Sequence, residues 1–202
     1  MRATLRAVGE LSITAGLILM LFCAYLLWGT GAYTQSQQSL LRSELAARKP
    51  RPAQVRPGQA VAMLRIPKLG RDYEYAVVEG VGAEQLKRGP GHYPDSAMPG
   101  QVGNFVLSGH RTTYAAPFNE LDELERDDEI VVETPDARHT YRVTSQDIVE
   151  PDEIDVLAPV PGKPDIRPIR AFITLSTCHP EYSAAERLIV YGVLKQSEPR
   201  EE

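Results

Sequence analysis

Hydrophobic and polar positions divide the chain into stretches of different character. Leu11 to Trp28, "LSITAGLILMLFCAYLLW", is eighteen residues without a charge, near the minimum for a helix spanning a bilayer's hydrocarbon core. A cleaved signal peptide has a shorter apolar core, and the following "GTGAYTQSQ" is a poor cleavage site, so the span reads as an uncleaved anchor. Arg2 and Arg6 precede it, which keeps the N-terminus cytoplasmic, and Trp28 and Tyr33 suit the far interface. Everything after about residue 33 is then outside the cell. Leu40, Leu41 and Leu45 have helical spacing and predict that residues 35–48 continue the anchor as a short stalk. "KPRPAQVRPGQ", residues 49–59, breaks that helix with three prolines and reads as a stiff spacer.

From Ala60 onward the pattern is mostly β. "AVAMLRIP" is a strand stopped by Pro67, "YEYAVVEGV" a second, and "GNFVLSGH" a buried strand by its continuous apolar run. "GAEQLKRGPGHYPDS" reads as a helical turn and a Gly/Pro loop, which makes His92 a loop residue. "EIVVET" and "HTYRVTSQDIVE" flank "PDAR", a hairpin signal that places His139 at the turn. A long loop with five prolines follows, "PDEIDVLAPVPGKPDIRP", then "IRAFITLSTC" and "RLIVYGVLK". Short strands at this spacing with few helices predict an all-β, closed or nearly closed barrel. A loop that long within a compact domain is usually functional or disordered.

Composition narrows the function. The net charge of −5 argues against a nucleic-acid surface. Of two cysteines, Cys23 lies in the apolar span and Cys178 far along the chain, so a disulfide between them is improbable and the globular part carries one thiol. The four histidines are scattered and show no metal-ligand spacing, so neither a metal nor another cofactor is expected.

That thiol sits at a strand end. "TLSTCHP" closes an apolar run on Cys178, proline ends the strand, and Arg187 opens the next strand. If the two strands pair, their backbones lie about 5 Å apart and sulfur and guanidinium face one cavity. Most lone strand cysteines are small buried hydrophobes, but an unpaired thiol outside the cell is an oxidation liability that a use would explain. A thiol needs a proton acceptor. His110 is the best placed, since "NFVLSGH" also ends a strand on the reactive residue. His179 alternates to the other face of its strand. Thiol, imidazole and arginine together specify acyl transfer. The thiolate attacks an amide carbonyl, the cation stabilises the oxyanion, and the imidazole protonates the leaving amine.

"TLSTCHP…RLIV" and "LSGHRTTYAAPFNEL" resemble the signature segments of sortases, the membrane-anchored cysteine transpeptidases of Gram-positive bacteria. The resemblance covers Leu64 to Leu194 and implies an eight-stranded sortase β-barrel with short helices behind one transmembrane helix. It puts Cys178 in the nucleophile position, His110 in the acid/base position and Arg187 in the arginine position. It also implies partners: surface proteins bearing C-terminal sorting signals, cut between Thr and Gly, and a lipid-linked peptidoglycan precursor as acceptor. "GPGHYP", "GHRTTYAAPF" and "TCHPEYSAAERLIV" look most like class E sortases of actinobacteria, a group associated with an LAXTG signal. The sequence has no Asp-Pro-aromatic lid before the first strand and no second apolar span after Lys195, which points toward a housekeeping anchoring role. Tyr114 is the candidate for reading the signal's alanine, Thr177 is a further candidate substrate-binding residue, and Val156, Leu157, Val160 and Ile166 of the long loop are candidates for holding its leucine. The division expected is 1–10 cytoplasmic, 11–28 transmembrane, 29–59 stalk and linker, 60–195 catalytic domain, and 196–202 a charged tail.

Other readings stay open on the residues alone. An L,D-transpeptidase would place its histidine just before the cysteine, whereas here Ser176-Thr177 precede it and His179 follows. An envelope thiol protease differs only in whether water resolves the intermediate. An anchored, non-catalytic β-domain would leave three unrelated residues at neighbouring strand ends.

Overall fold

The computed structural model describes residues 2–47 and 55–200, so most of the Pro-rich spacer lies outside the described residues. Helix α1 (Arg2–Ala24) passes through a π-helical turn (Tyr25–Gly29) into α2 (Thr30–Ala47). α1 carries Arg2, Arg6 and Glu10 in its first turns, is uncharged from Leu11 onward, and buries nothing within the protein. It is the one described helix long and apolar enough to cross a membrane.

The strands are β1 (Ala60–Arg65), β2 (Glu74–Glu79), β3 (Gly91–His92), β4 (Gly103–Ser108), β5 (Glu129–Glu133), β6 (Ala137–Val149), β7 (Ala171–His179) and β8 (Glu186–Pro199). They close a barrel in the order β1-β2-β3-β4-β7-β8-β6-β5. Pairing is antiparallel except for β2 with β3 and β4 with β7. The barrel is the expected fold, with one strand more than the residue pattern had predicted. β3 is two residues long inside the segment read as a loop, and His92 is fully buried in it.

Alternation assigns the faces. Phe105 and Leu107 of β4, Tyr141 and Val143 of β6, and Ile173 and Leu175 of β7 point inward and fill the barrel. β1 is buried on both faces, which is why it reads as a continuous apolar run. A bulge between Ala60 and Ala62 shifts its register, so Val61, Ala62 and Leu64 join the interior while Ala60 and Met63 face out.

What covers that outer face is α2. Leu41 and Leu45 pack on Ala60, Met63, Ala76 and Val78 in a second core, each leucine contributing about 1.5–3 kcal/mol by burial. The stalk helix is therefore part of the packed body. Gln38 explains the fit. β3 is too short to pair with Ala76, and the Gln38 amide replaces it as a peptide group would. Its Oε1 accepts from Ala76 N (2.7 Å), and its Nε2 donates to the carbonyls of Ala76 (2.9 Å) and Arg88 (2.8 Å). A Cβ at Gly89 would overlap that amide, so glycine is required there. Thr34 donates to the Lys87 carbonyl and Arg42 to that of Glu74.

Candidate active site

The site is built on β4 and β7, parallel and in register from Gly103↔Ala171 to Ser108↔Ser176. With Ile173 and Leu175 inward, Thr174, Ser176 and Cys178 face the outside of the barrel wall. On the other side β8 pairs antiparallel with β7, and Arg187 stands directly opposite Cys178. His110 lies as far past Ser108 as Cys178 lies past Ser176. Two bonds keep the chains together beyond the ladder. Gly109 N donates to the Ser176 carbonyl (3.1 Å), and Thr177 Oγ1 donates to the Gly109 carbonyl (2.9 Å). Cys178 and Arg187 are thus paired across β7–β8, and His110 comes two residues after the last pair of β4 with β7.

Their settings differ. Cys178 is half-buried and carries a free thiol. The His110 ring packs against that of Tyr114, centroids 5.1 Å apart at 34°. Burial holds the His110 pKa below its ordinary 6.5, because a desolvated imidazolium is disfavoured. Arg187 Nη1 donates to the carbonyls of Ala184 (3.1 Å) and Glu186 (2.9 Å), which fixes the guanidinium at the rim of the β7–β8 loop.

The histidine loop is held under strain. Tyr114, Ala115 and Ala116 all have positive φ (53°, 62° and 42°), a left-handed backbone that costs an L-residue about 1–2 kcal/mol. Surrounding bonds impose it. Tyr73 and Tyr75 hydroxyls donate to the carbonyls of Pro117 and Ala115, and Phe118 N donates to the His110 carbonyl. Gly109 is needed beneath, since a Cβ there would lie 2.6 Å from the Phe118 ring.

The remaining candidates separate by position. Thr177 is buried, its hydroxyl committed to Gly109. The long loop is clipped to the wall by Asn104, whose Nδ2 donates to the carbonyls of Val156 (3.1 Å) and Ala158 (3.0 Å) while its Oδ1 accepts from Thr174 (2.8 Å). Val156 is buried there and packs the loop onto the barrel. Leu157 lines a small hollow of about 160 Å³ with Pro159 and Asn104. Val160 is half-buried and Ile166 exposed. The sequence reading passed over Asn104, the exposed Ile154 on the same loop, and Arg111.

Arg111 is buried, with 6% of its side chain exposed. Its Nη1 donates to the Cys178 carbonyl (3.3 Å) and to His179 Nδ1 (3.0 Å), and Nη2 pairs with Asp122 Oδ1 (3.0 Å). Among the described residues, no group of three or more His, Cys, Asp or Glu is placed to hold a metal.

Residues 64–195 match the family model of the Sortase domain. The chain belongs to the sortase family, a class of cysteine transpeptidases. Within that class it is 40% identical over 207 residues to Sortase SrtE1 of Streptomyces coelicolor, covering 96% of this chain and 58% of that relative's length. The crystal structure of Sortase E1 from the same organism, with a tripeptide in its active site, aligns at TM-score 0.65 and 40% identity over 73% of this chain and 94% of that one. The SrtF sortase of Corynebacterium diphtheriae aligns at TM-score 0.73 and 31% identity, covering 76% and 94%.

Proposed function

We propose that this sortase is a membrane-anchored transpeptidase of class E type, with Cys178 as nucleophile, His110 as acid/base and Arg187 as oxyanion partner. The single observation that carries the assignment is the register: Cys178 pairs with Arg187 across β7–β8, and His110 follows two residues after Ser108, whose partner Ser176 lies two residues before Cys178. His110 takes the thiol proton as sulfur attacks the Thr carbonyl of a sorting signal, and Arg187 steadies the oxyanion. The Thr–Gly bond then breaks, His110 returns the proton to the leaving glycine amine, and a thioacyl-enzyme remains. An amine of a lipid-linked peptidoglycan precursor attacks the thioester, and the thiol is restored. Water in that step gives hydrolysis.

Proline has no backbone N–H and alanine has one, so an acceptor in the groove would select LAXTG over LPXTG. Tyr114, stacked on His110, offers the phenolic oxygen. Thr177 supports the same spot through its hold on Gly109, Val160 and Ile166 supply the loop's apolar side, and Leu157 sits apart with Asn104 at the start of β4, about 20 Å down the strand from His110. The uncharged, exposed stretch of α1 from Leu11 onward, with Arg2 and Arg6 on the turns before it, supports an anchor with its N-terminus in the cytoplasm.

The test is cleavage of an LAXTG peptide by the full chain in detergent micelles, since α2 is packed into the body. Cys178→Ala is expected to abolish cleavage and thioacyl formation. Cleavage above background by a folded Cys178→Ala protein would remove the nucleophile assignment.

A further inference from the structure

β4 leaves the barrel wall at a costly place. Up to Gly109 its backbone N–H groups satisfy the β7 carbonyls, the last such bond being Gly109 N to Ser176 O. Continued by two residues, a parallel ladder would bring Arg111 N to the Cys178 carbonyl. The chain turns away at His110 instead, and that carbonyl loses its strand partner. The Arg111 side chain supplies the donor its backbone does not, Nη1 lying 3.3 Å from Cys178 O.

The same guanidinium gathers the surrounding groups. Nη1 donates to His179 Nδ1, so any proton on that ring sits on Nε2. Asp122, on the 3-10 turn Leu121–Glu123, pairs with Nη2. The Arg111 carbonyl accepts from Asn119 Nδ2 (2.8 Å), which also reaches Glu181 Oε1 (3.3 Å) on the β7–β8 loop. Arg111 Nε is buried with no partner among the described residues, a cost rarely kept at a site without consequence.

We infer that Arg111 is a positioning residue for the reaction at Cys178: its guanidinium stands in for the missing strand donor and holds the Cys178 peptide, and with it the thiol, level with His110. It does not touch the reacting atoms. The inference rests on Cys178 being the nucleophile. Nucleophile and base work only when aligned, and a displacement of about 1 Å costs on the order of a hundredfold in rate.

The test uses the full chain in micelles, in a Cys23→Ser background so that Cys178 is the only thiol. Active enzyme is counted by alkylation, and kcat and KM for the signal peptide are expressed per titrated thiol. Arg111→Met is expected to lower kcat about a hundredfold with KM changed less than about threefold. Arg111→Lys, which keeps the charge and one bond, recovers about tenfold of that loss, a graded rescue that a mere staple would not show. A kcat per thiol in Arg111→Met within about threefold of the parent overturns the inference, even where Tm falls. If Arg111→Met does not fold, Arg111→Lys and Asp122→Asn decide, and unchanged kcat per thiol in both overturns it. A parent chain that cleaves nothing overturns the nucleophile reading and this inference together. Loss in Cys178→Ala with normal Arg111→Met sinks this inference alone.

Discussion

Two histidines on neighbouring elements of the barrel wall show how one side chain serves opposite ends. His92, in β3, is fully buried, stacks on Phe105 and has both ring nitrogens engaged. Its Nδ1 is 2.7 Å from Glu79 Oε2, and its Nε2 is 2.9 Å from Ser96 Oγ and 3.2 Å from the Ala97 carbonyl. His110, just past β4, makes one ring contact, with Tyr114, and no side-chain hydrogen bond among the described residues. A histidine whose nitrogens are both taken fixes structure. One held by a ring face alone leaves them open, as the acid/base role proposed for His110 requires.

The largest expected effect tests the free histidine. His110→Ala should lower kcat/KM by about 10²–10⁴, the range for losing a positioned acid/base group, and Arg187→Ala by about 10²–10³. Both are read by peptide cleavage with the fold checked by circular dichroism. Because burial lowers the His110 pKa, the acid limb of kcat/KM against pH should have its midpoint below 6.5. The sign for stability is the same. The unfolded chain protonates first, near 6.5, so stability present above that pH is lost as pH falls through the lower folded value. An acid midpoint at or above 6.5 would count against a buried His110 as the proton acceptor.

His92→Leu should do the reverse. It strands Glu79 in the interior, at a cost of about 3–5 kcal/mol, seen as a lower midpoint in urea. Activity per folded molecule should hardly change. A large loss of kcat in soluble, folded His92→Leu protein would erase the contrast between the two rings.

The smallest effect sharpens what the stacked tyrosine does. Tyr114→Phe keeps the ring over His110 and removes the oxygen. If that oxygen accepts the alanine N–H, the preference for LAXTG over LPXTG should shrink by about ten- to a hundredfold. An unchanged ratio of kcat/KM values would move the acceptor to a backbone carbonyl of the long loop.

Sequence pattern revealed what local periodicity encodes. Long strands such as "AFITLSTCH" and "RLIVYGVL" are written in alternation and apolar runs, and Cys178, His110 and Arg187 stand out because each lies within two residues of a strand end. β3 left no such trace, since two residues have no period and their pairing is imposed by β2 and β4. Helix α2 hid its docked face because that face is partly polar. Thr34 and Gln38 fall in the segment assigned to the stalk and linker, yet their hydrogen bonds to Lys87, Ala76 and Arg88 depend on strand edges remote in sequence. Arg111 was overlooked for the same reason: its meaning lies in a carbonyl left over where β4 departs from β7.

The docking of α2 has a consequence for how partners are met. Thr30 opens that helix two residues after Trp28, and its Oγ1 lies 3.4 Å from Tyr114 N in the histidine loop. With α1 in a bilayer, as proposed, the histidine loop stands at the foot of the helix, close to the lipid surface, and the seam beneath Leu41 and Gln38 keeps the barrel from swinging away on a tether. A partner carried in the same bilayer then searches in two dimensions and arrives at the right height, with much of its translational and rotational freedom already surrendered. A free peptide in solution loses that freedom only on binding. If α1 is the proposed anchor, the site needs only weak affinity for soluble peptides to act on substrates that share its membrane.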